Sequence, residues 1–93
     1  MDSNYFVYIL QCKDGTYYTG YTNNVEKRVM MHQAGKGAKY TRGRTPVKLV
    51  FQKRFPTKEE AMSAEYQIKR FSREQKELLI QEGSGTYVAT KKL

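Results

Sequence analysis

Two aromatic-rich runs joined by an Asp-Gly pair constrain the fold more than any other feature of this sequence. The first run, Tyr5 to Leu10, is β-branched or aromatic at nearly every position, which is typical of a strand that is covered on both faces. Asp14-Gly15 follows, and this dipeptide between two such runs predicts a two-residue hairpin turn. We therefore expect Thr16 to Tyr21 to return antiparallel to a central first strand.

The rest of the chain predicts three helices and one more strand. Asn23 and Asn24 can cap a helix over Val25 to Ala34 that ends before Gly35, a typical C′ residue. Spacings of the capping-box type predict that two further helices begin at Thr57 and Ser72. The remaining expectations are a strand over Val47 to Phe51 with Val47, Leu49 and Phe51 on one face, an apolar helix stripe of Ala61, Ala64, Ile68 and Phe71, and a last helix to about Glu82 anchored by Leu78 and Leu79.

The resulting order ββαβαα predicts an α+β fold in which three helices flank a three-stranded antiparallel sheet. A chain of 93 residues has room for one compact domain. We expect that domain to occupy residues 1–82. The small residues from Gly83 onward predict a flexible tail over residues 83–93.

The charge balance narrows the class of partner. The 17 Lys and Arg residues exceed the 9 Asp and Glu residues and give a formal net charge of +8, which favours an anionic partner, nucleic acid ahead of a membrane surface. Cys12 is the single cysteine, so no internal disulfide can form. The start of the chain is polar and acidic, and no apolar run is long enough for a signal peptide or a membrane span. These features predict a cytoplasmic protein.

The positive charge is concentrated in one block. Residues 27–58 contain ten Lys and Arg and no Asp or Glu. Within this block, residues 35–46 contain three glycines and predict a flexible basic loop that contacts phosphates and stacks on a base. The alternative is a solvated loop that only keeps the protein soluble. The candidate nucleic-acid contacts are Lys36, Lys39, Tyr40, Arg42 and Arg44.

Three side chains in the helices are candidates for chemistry. Arg28 and His32 are four residues apart on one helix face, so both could be cations beside a phosphate, or the face could simply be exposed. Glu65 lies close to an apolar stripe, where a carboxylate needs a partner. That partner is either a structural cation such as Arg28, which the residues alone favour, or a hard divalent metal such as Mg²⁺ or Mn²⁺. A tyrosine of the hairpin can act as a base only where cations or a metal favour the phenolate.

These residues together resemble the GIY-YIG nuclease domain over roughly residues 5–82. Phe6-Val7-Tyr8 stands where the family has Gly-Ile-Tyr, and Tyr18-Thr19-Gly20 stands where it has Tyr-Ile-Gly. Arg28, His32 and Glu65 fall at the family's arginine, its frequent helix position one turn later and its metal-binding glutamate. The residues that depart from the pattern are Phe6 for the first glycine, Tyr21 for a frequent lysine and Glu77 near a frequent asparagine.

The sequence is most similar to the small stand-alone bacterial members, which carry a loop like Gly35 to Arg42. The resemblance implies a Mg²⁺- or Mn²⁺-dependent endonuclease of low sequence specificity that hydrolyses phosphodiester bonds in DNA during repair or processing, with RNA also possible. Tyr8 or Tyr18 would help to deprotonate water, Arg28 would stabilise the developing charge and Glu65 would hold the metal. His32 would assist either tyrosine or bind the phosphate.

Two other functions remain open at this level. One is a catalytically weak or inactive nucleic-acid-binding module of the same fold, and the other is an adaptor whose basic loop meets an acidic protein. Neither explains a carboxylate at Glu65 beside an apolar stripe. No obligatory protein partner and no membrane association are indicated.

Overall fold

A computed structural model describes residues 4–83 and has the predicted α+β architecture. Its elements are β1 (Tyr5–Gln11), β2 (Tyr17–Thr22), α1 (Val25–Gln33), β3 (Lys48–Phe55), α2 (Lys58–Lys69) and α3 (Arg73–Gly83), with a single 3₁₀ turn at Lys39–Thr41. The three strands form one antiparallel sheet in the order β2-β1-β3, so the order ββαβαα and the central position of β1 are confirmed. The domain boundary at residue 82 stays a prediction: Gly83 is still helical, and residues 84–93 of the predicted tail lie outside the described residues.

The hairpin between β1 and β2 is confirmed, but its turn differs from the two-residue turn that was predicted. The Cys12 amide donates to the Thr16 carbonyl at 2.8 Å, and the Gly15 amide donates to the Cys12 carbonyl at 2.9 Å. A two-residue type I′ turn needs positive φ at both central residues. Gly15 has φ +85°, whereas no residue other than glycine has positive φ within residues 4–83, so Asp14 does not meet this requirement. The chain instead closes a three-residue loop with Gly15 in the left-handed region.

Strand β1 forms the core of the domain because both of its faces are covered. On one face Val7 and Ile9 are fully buried, and on the other Tyr8 and Leu10 are buried. The first group packs with Phe51, Ala61 and Ile68, and the second packs with Cys12 and Val47. The predicted apolar stripe of α2 is confirmed, since Ala64 and Phe71 also pack against the first group.

A β-bulge in β3 contradicts the prediction that Val47, Leu49 and Phe51 share one face. Ile9 pairs with Phe51 while the next residue, Leu10, pairs with Leu49, so the register shifts between them. An extra residue in one strand reverses the alternation of its side chains. Val47 and Leu49 therefore pack on the face of Tyr8, and Phe51 packs on the opposite face.

The helix ends follow the predicted capping residues. Asn24 caps α1 by accepting from the Lys27 amide at 3.0 Å, and Thr57 caps α2 by accepting from the Glu60 amide at 3.2 Å. Gly35 has φ +78° after α1, as expected for a C′ residue.

The last helix is anchored differently from the prediction. Leu79 packs against the core together with Ile80, but Leu78 is 56% exposed and is not an anchor. Consecutive residues of a helix point about 100° apart, so Leu78 points about 200° away from Ile80 and lies outside the face that Leu79 and Ile80 pack against the core. Within residues 4–83 no helix is both long enough and apolar enough to cross a membrane, and the cytoplasmic location stays a prediction.

Candidate active site

The candidate site lies beside the edge strand β2, where Tyr8 reaches across from β1. Tyr8 pairs with Gly20, and a Cβ atom on Gly20 would lie only 2.6 Å from the Tyr8 hydroxyl oxygen. The missing side chain is therefore what lets the buried Tyr8 ring pass over β2. Tyr18 lies two residues earlier on the same face, with its ring centroid 6.3 Å from that of Tyr8.

A directed chain of hydrogen bonds connects Tyr8 to the basic loop. The Thr41 hydroxyl donates to the Ala38 carbonyl at 3.0 Å, so its oxygen accepts from Nδ1 of His32 at 2.8 Å. A neutral imidazole has one donor and one acceptor nitrogen, which leaves Nε2 of His32 to accept from the Tyr8 hydroxyl at 3.0 Å. All three side chains are at most 1% exposed. The chain of donors thus runs from Tyr8 through His32 to Thr41.

The protonation states of the His32 imidazole and the Tyr8 hydroxyl agree with donation from Tyr8 to His32. Burial, and then the charge of Arg28, lowers the pKa of His32 below its usual value, so the imidazole is neutral near pH 7. Burial raises the pKa of Tyr8 to about 12 despite the opposing effect of Arg28, so its hydroxyl keeps its proton. His32 is therefore a buried neutral acceptor, and the alternative in which it is a second cation beside a phosphate is disfavoured.

We expect acid to destabilise the fold through His32. Because the folded pKa is below the unfolded value of about 6.5, the unfolded chain binds more protons, and the stabilisation that is present above pH ~6.5 is lost as the pH falls through the folded pKa. Urea unfolding at about pH 7.5 and pH 5 measures this loss, and the pH range lies above the titration of Asp14, whose pKa is held at about 2 by hydrogen bonds from Thr16.

His32→Gln removes the only histidine of the chain and serves as the comparison. This variant should lose stability at both pH values but show a smaller difference between them. An equal pH dependence in the variant and in the original chain would contradict a buried neutral His32.

Arg28 lies one turn before His32 on α1 and has an unused donor. Its guanidinium Nε is buried, and within residues 4–83 it has no hydrogen-bond partner. Buried donors in proteins are nearly always satisfied, and a buried donor without a partner in a cleft is suited to a bound acceptor. A phosphate oxygen is such an acceptor for a guanidinium.

Glu65 is partly buried on α2 and meets a partner that the sequence did not single out. Its carboxylate lies 3.1 Å from Nζ of Lys69, one helical turn later, and its side chain is 19% exposed. Among the residues that the structure describes, Arg28 forms no ion pair with it, so the favoured structural partner is not found. Burial has the largest effect on the pKa of Tyr8, and the charge of Arg28 lowers this pKa whereas the charge of Glu65 raises it.

The donor set around Glu65 fits a magnesium-like ion. No group of three His, Cys, Asp or Glu side chains occurs within residues 4–83, so a closed protein cage is not available in this part of the chain. Mg²⁺ keeps several waters and is commonly bound through one or two carboxylates plus substrate phosphates. A single partly exposed carboxylate at Glu65 is compatible with that mode of binding.

The basic loop is attached to the hairpin by Arg44. Nε of Arg44 lies 3.0 Å from the Asp14 carboxylate, another guanidinium nitrogen donates to the Tyr40 carbonyl at 2.6 Å, and the guanidinium carbon lies 4.2 Å from the Tyr40 ring centroid. The Tyr40 ring is also stacked on Tyr18 with centroids 6.0 Å apart. Arg44 and Tyr40 thus already contact protein groups, and Tyr40 supports the tyrosine beside the site. Their predicted contacts with nucleic acid remain predictions.

The side chains of Lys36, Lys39 and Arg42 are exposed and form no hydrogen bond or ion pair within residues 4–83. Sequence reasoning missed Thr41 and Gly37. A Cβ atom on Gly37 would collide with the His32 ring, so this glycine lets the loop lie directly on the imidazole. The sequence shows only that the loop contains a small residue, Gly37, and a hydroxyl, that of Thr41. Neither feature indicates a contact with His32.

A family model described as the GIY-YIG catalytic domain matches residues 4–78. The UPF0213 protein BH0048 of Halalkalibacterium halodurans is 56% identical over 90 residues, which cover 97% of this chain and 96% of that protein. The UPF0213 protein YazA of Bacillus subtilis is 54% identical over 80 residues, covering 86% of this chain and 81% of that protein.

Solved structures agree with the sequence matches. A solution NMR structure of the UPF0213 protein BH0048 from Bacillus halodurans superposes with a TM-score of 0.60 at 55% identity, covering 98% of this chain and 97% of that chain. A solution NMR structure of the protein EF2693 from E. faecalis has a TM-score of 0.60 at 39% identity, covering 86% of this chain and 85% of that chain.

Proposed function

The chain belongs to the GIY-YIG catalytic domain family, and from its site we propose that it hydrolyses phosphodiester bonds in nucleic acid. DNA is the favoured substrate, RNA is also possible, and repair or processing of DNA is the proposed setting. The proposed catalytic residues are Tyr8, Tyr18, Arg28, His32 and Glu65. The observation that carries the proposal is the buried Nε of Arg28, which has no hydrogen-bond partner within residues 4–83 and lies one helical turn before His32, the residue that binds the Tyr8 hydroxyl.

Arg28 is proposed to bind the scissile phosphate. Its guanidinium would donate to a phosphate oxygen and stabilise the additional negative charge that develops there as water attacks. The low exposure of the surrounding rings makes this interaction stronger than it would be in bulk water. Glu65 would hold one Mg²⁺ or Mn²⁺ ion, which, when bound, supplies charge neutralisation at the phosphate and a more acidic water.

Tyr18 is the better candidate of the two tyrosines for accepting the proton from water. Burial raises the pKa of Tyr8 to about 12, and its hydroxyl proton is held by Nε2 of His32. Tyr18 is partly exposed, so water can reach it, and its ring lies 5.1 Å from that of His32 between centroids. We therefore assign Tyr8 to positioning the site and Tyr18 to the proton transfer.

Glu65→Gln tests the proposed metal role. The change keeps the size of the side chain but removes the charge that a divalent ion requires, so cleavage in Mg²⁺ or Mn²⁺ should fall by at least about 10²-fold. Labelled single-stranded, duplex and branched DNA and a single-stranded RNA are incubated with each protein, and the products are separated by electrophoresis. EDTA should stop cleavage by the original chain.

Glu74→Gln is the matched control, because Glu74 is an exposed carboxylate on α3. Its cleavage rate should stay within about twofold of the original. Equal rates for both glutamine variants would argue against a metal at Glu65.

A further inference from the structure

A cleft beside the first turn of α1 is not used by the proposed chemistry. It has a volume of about 640 Å³ and lies between the end of β2, the first turn of α1 and the first turn of α2. Arg28 lines it, so the cleft is continuous with the candidate active site. The basic loop does not line it. Small-molecule sites in proteins commonly have volumes of about 300–1,000 Å³, so the cleft can hold one nucleotide.

The walls of the cleft are cationic. Lys27 and Lys58 line it together with Arg28, and Asn23 adds an amide. Within residues 4–83 neither lysine forms an ion pair, and no Asp or Glu lines the cleft. Three cations and a hydrogen-bonding amide around one space are suited to phosphate oxygens.

The positions of the two lysines are unfavourable for the helices that carry them. Lys27 is in the first turn of α1, after the cap at Asn24, and Lys58 is the first residue of α2, after the cap at Thr57. The positive end of the helix dipole lies in the first turn, so a cation there is destabilising. Helix stability therefore does not account for either lysine, whereas an anion between them would bind to both lysines.

Aromatic rings complete the cleft. Tyr21 and Tyr5 line it, and both rings are partly exposed. A base can stack on an exposed aromatic ring only when it is not stacked within a duplex. The combination of phosphate-binding cations with a ring thus fits a nucleotide whose base is unpaired.

We propose that this cleft is a binding subsite for one unpaired nucleotide that flanks the scissile phosphate, with Lys27 and Lys58 on its phosphate and Tyr21 against its base. The position of the subsite relative to the scissile bond rests on the proposed function, because Arg28 is the residue shared by both. The subsite selects single-stranded or splayed nucleic acid over regular duplex. No residue of the basic loop lines this cleft.

Binding measured without metal tests the subsite independently of cleavage. Fluorescence anisotropy in EDTA follows a short labelled oligothymidylate and a matched duplex as each is titrated with the full chain. Lys27→Ala and Lys58→Ala should each weaken binding to the single strand about fivefold and should each reduce the slope of log K against log salt by about 0.7. Lys48→Ala, which removes an exposed lysine from β3 at the opposite edge of the sheet, is the control and should change neither quantity.

The proposed stacking of a base on the Tyr21 ring is tested by two substitutions. Tyr21→Leu should reduce the preference for single strand over duplex by about fivefold or more, because the stacking surface is lost. Tyr21→Phe keeps the ring and should retain the preference. Thermal unfolding of both variants separates this loss from a loss of structure, since Tyr21 also packs against the core.

If Lys27→Ala and Lys58→Ala bind the single strand as tightly as Lys48→Ala does, the proposed subsite is overturned, even if the original chain cleaves DNA. Binding that depends on Lys27 and Lys58, in a chain that cleaves nothing in any metal, would support the subsite and reject the proposed hydrolysis.

Discussion

Arg28→Lys is expected to reduce the single-turnover rate of metal-dependent cleavage by roughly 10²–10³-fold. Lysine keeps the positive charge but replaces the planar fork of donors with one ammonium group, which cannot reproduce the contact from the buried Nε. Because the lost contact is strongest when charge develops on the phosphate, the effect on nucleic-acid binding should be much smaller than the effect on the rate. The rate is measured with enzyme in excess over a labelled strand.

Arg54→Lys is the matched control for this variant. Arg54 is exposed on β3, at the opposite edge of the sheet from β2, and donates to the Asn4 side chain at 2.9 Å. Its rate should be unchanged. An Arg28→Lys rate within a few-fold of the original, or an equal fall in both variants, would show that the guanidinium does not act on the reacting phosphate.

Gly20→Ala is expected to have the second largest effect, on stability as well as on the site. The new Cβ atom would lie 2.6 Å from the Tyr8 hydroxyl oxygen and 2.8 Å from the ring carbon that bears it. Tyr8 is 1% exposed and cannot move aside, so the overpacking should cost roughly 1–3 kcal/mol and should break the hydrogen bond to His32. Urea unfolding measures the first effect, and the cleavage rate measures the second.

A double-mutant cycle with Tyr8→Phe checks that the contact with the hydroxyl is the cause. Phenylalanine removes the oxygen atom that is nearest to the new methyl group, so Gly20→Ala should cost less in this background than in the original chain. Equal costs in the two backgrounds would show that the destabilisation comes from the strand and not from Tyr8.

The sequence predicted the elements of this fold because their signals are local. Alternating or continuous apolar patterns, caps at Asn24 and Thr57 and the glycine after α1 each act over a few residues, and all appear as expected. The face of Phe51 was predicted wrongly because a bulge adds one residue to the ladder, and nothing in the strand's own pattern marks its position. Leu78 was predicted as an anchor without regard to the helix period, which turns it to solvent.

The same distinction applies to the candidate site, where the residues could be predicted from local sequence but the contacts between them could not. Residue types and spacing, read through the family resemblance, predicted five site residues, and the structure brings the side chains of Tyr8, Tyr18 and His32 into contact beside β2. The polar contacts between elements that are distant in the chain could not be predicted, because they depend on packing. The bonds from His32 to Tyr8 and Thr41 and the pairing of Glu65 with Lys69 are examples. The stacking of the Tyr40 ring on Tyr18 was likewise not predicted, and its expected contact with a base stays a prediction.

Hydrolysis of a phosphodiester bond at Arg28 and Glu65 is tested by mass spectrometry of the products formed from a labelled DNA strand in H₂¹⁸O with Mn²⁺. Hydrolysis at this site predicts one ¹⁸O atom in the terminal phosphate of each cleaved strand, with the original chain forming this product far faster than Arg28→Lys or Glu65→Gln. Binding of the strand without any cleaved product, or a labelled product that the two variants form at the original rate, would contradict a phosphodiesterase site at Arg28 and Glu65.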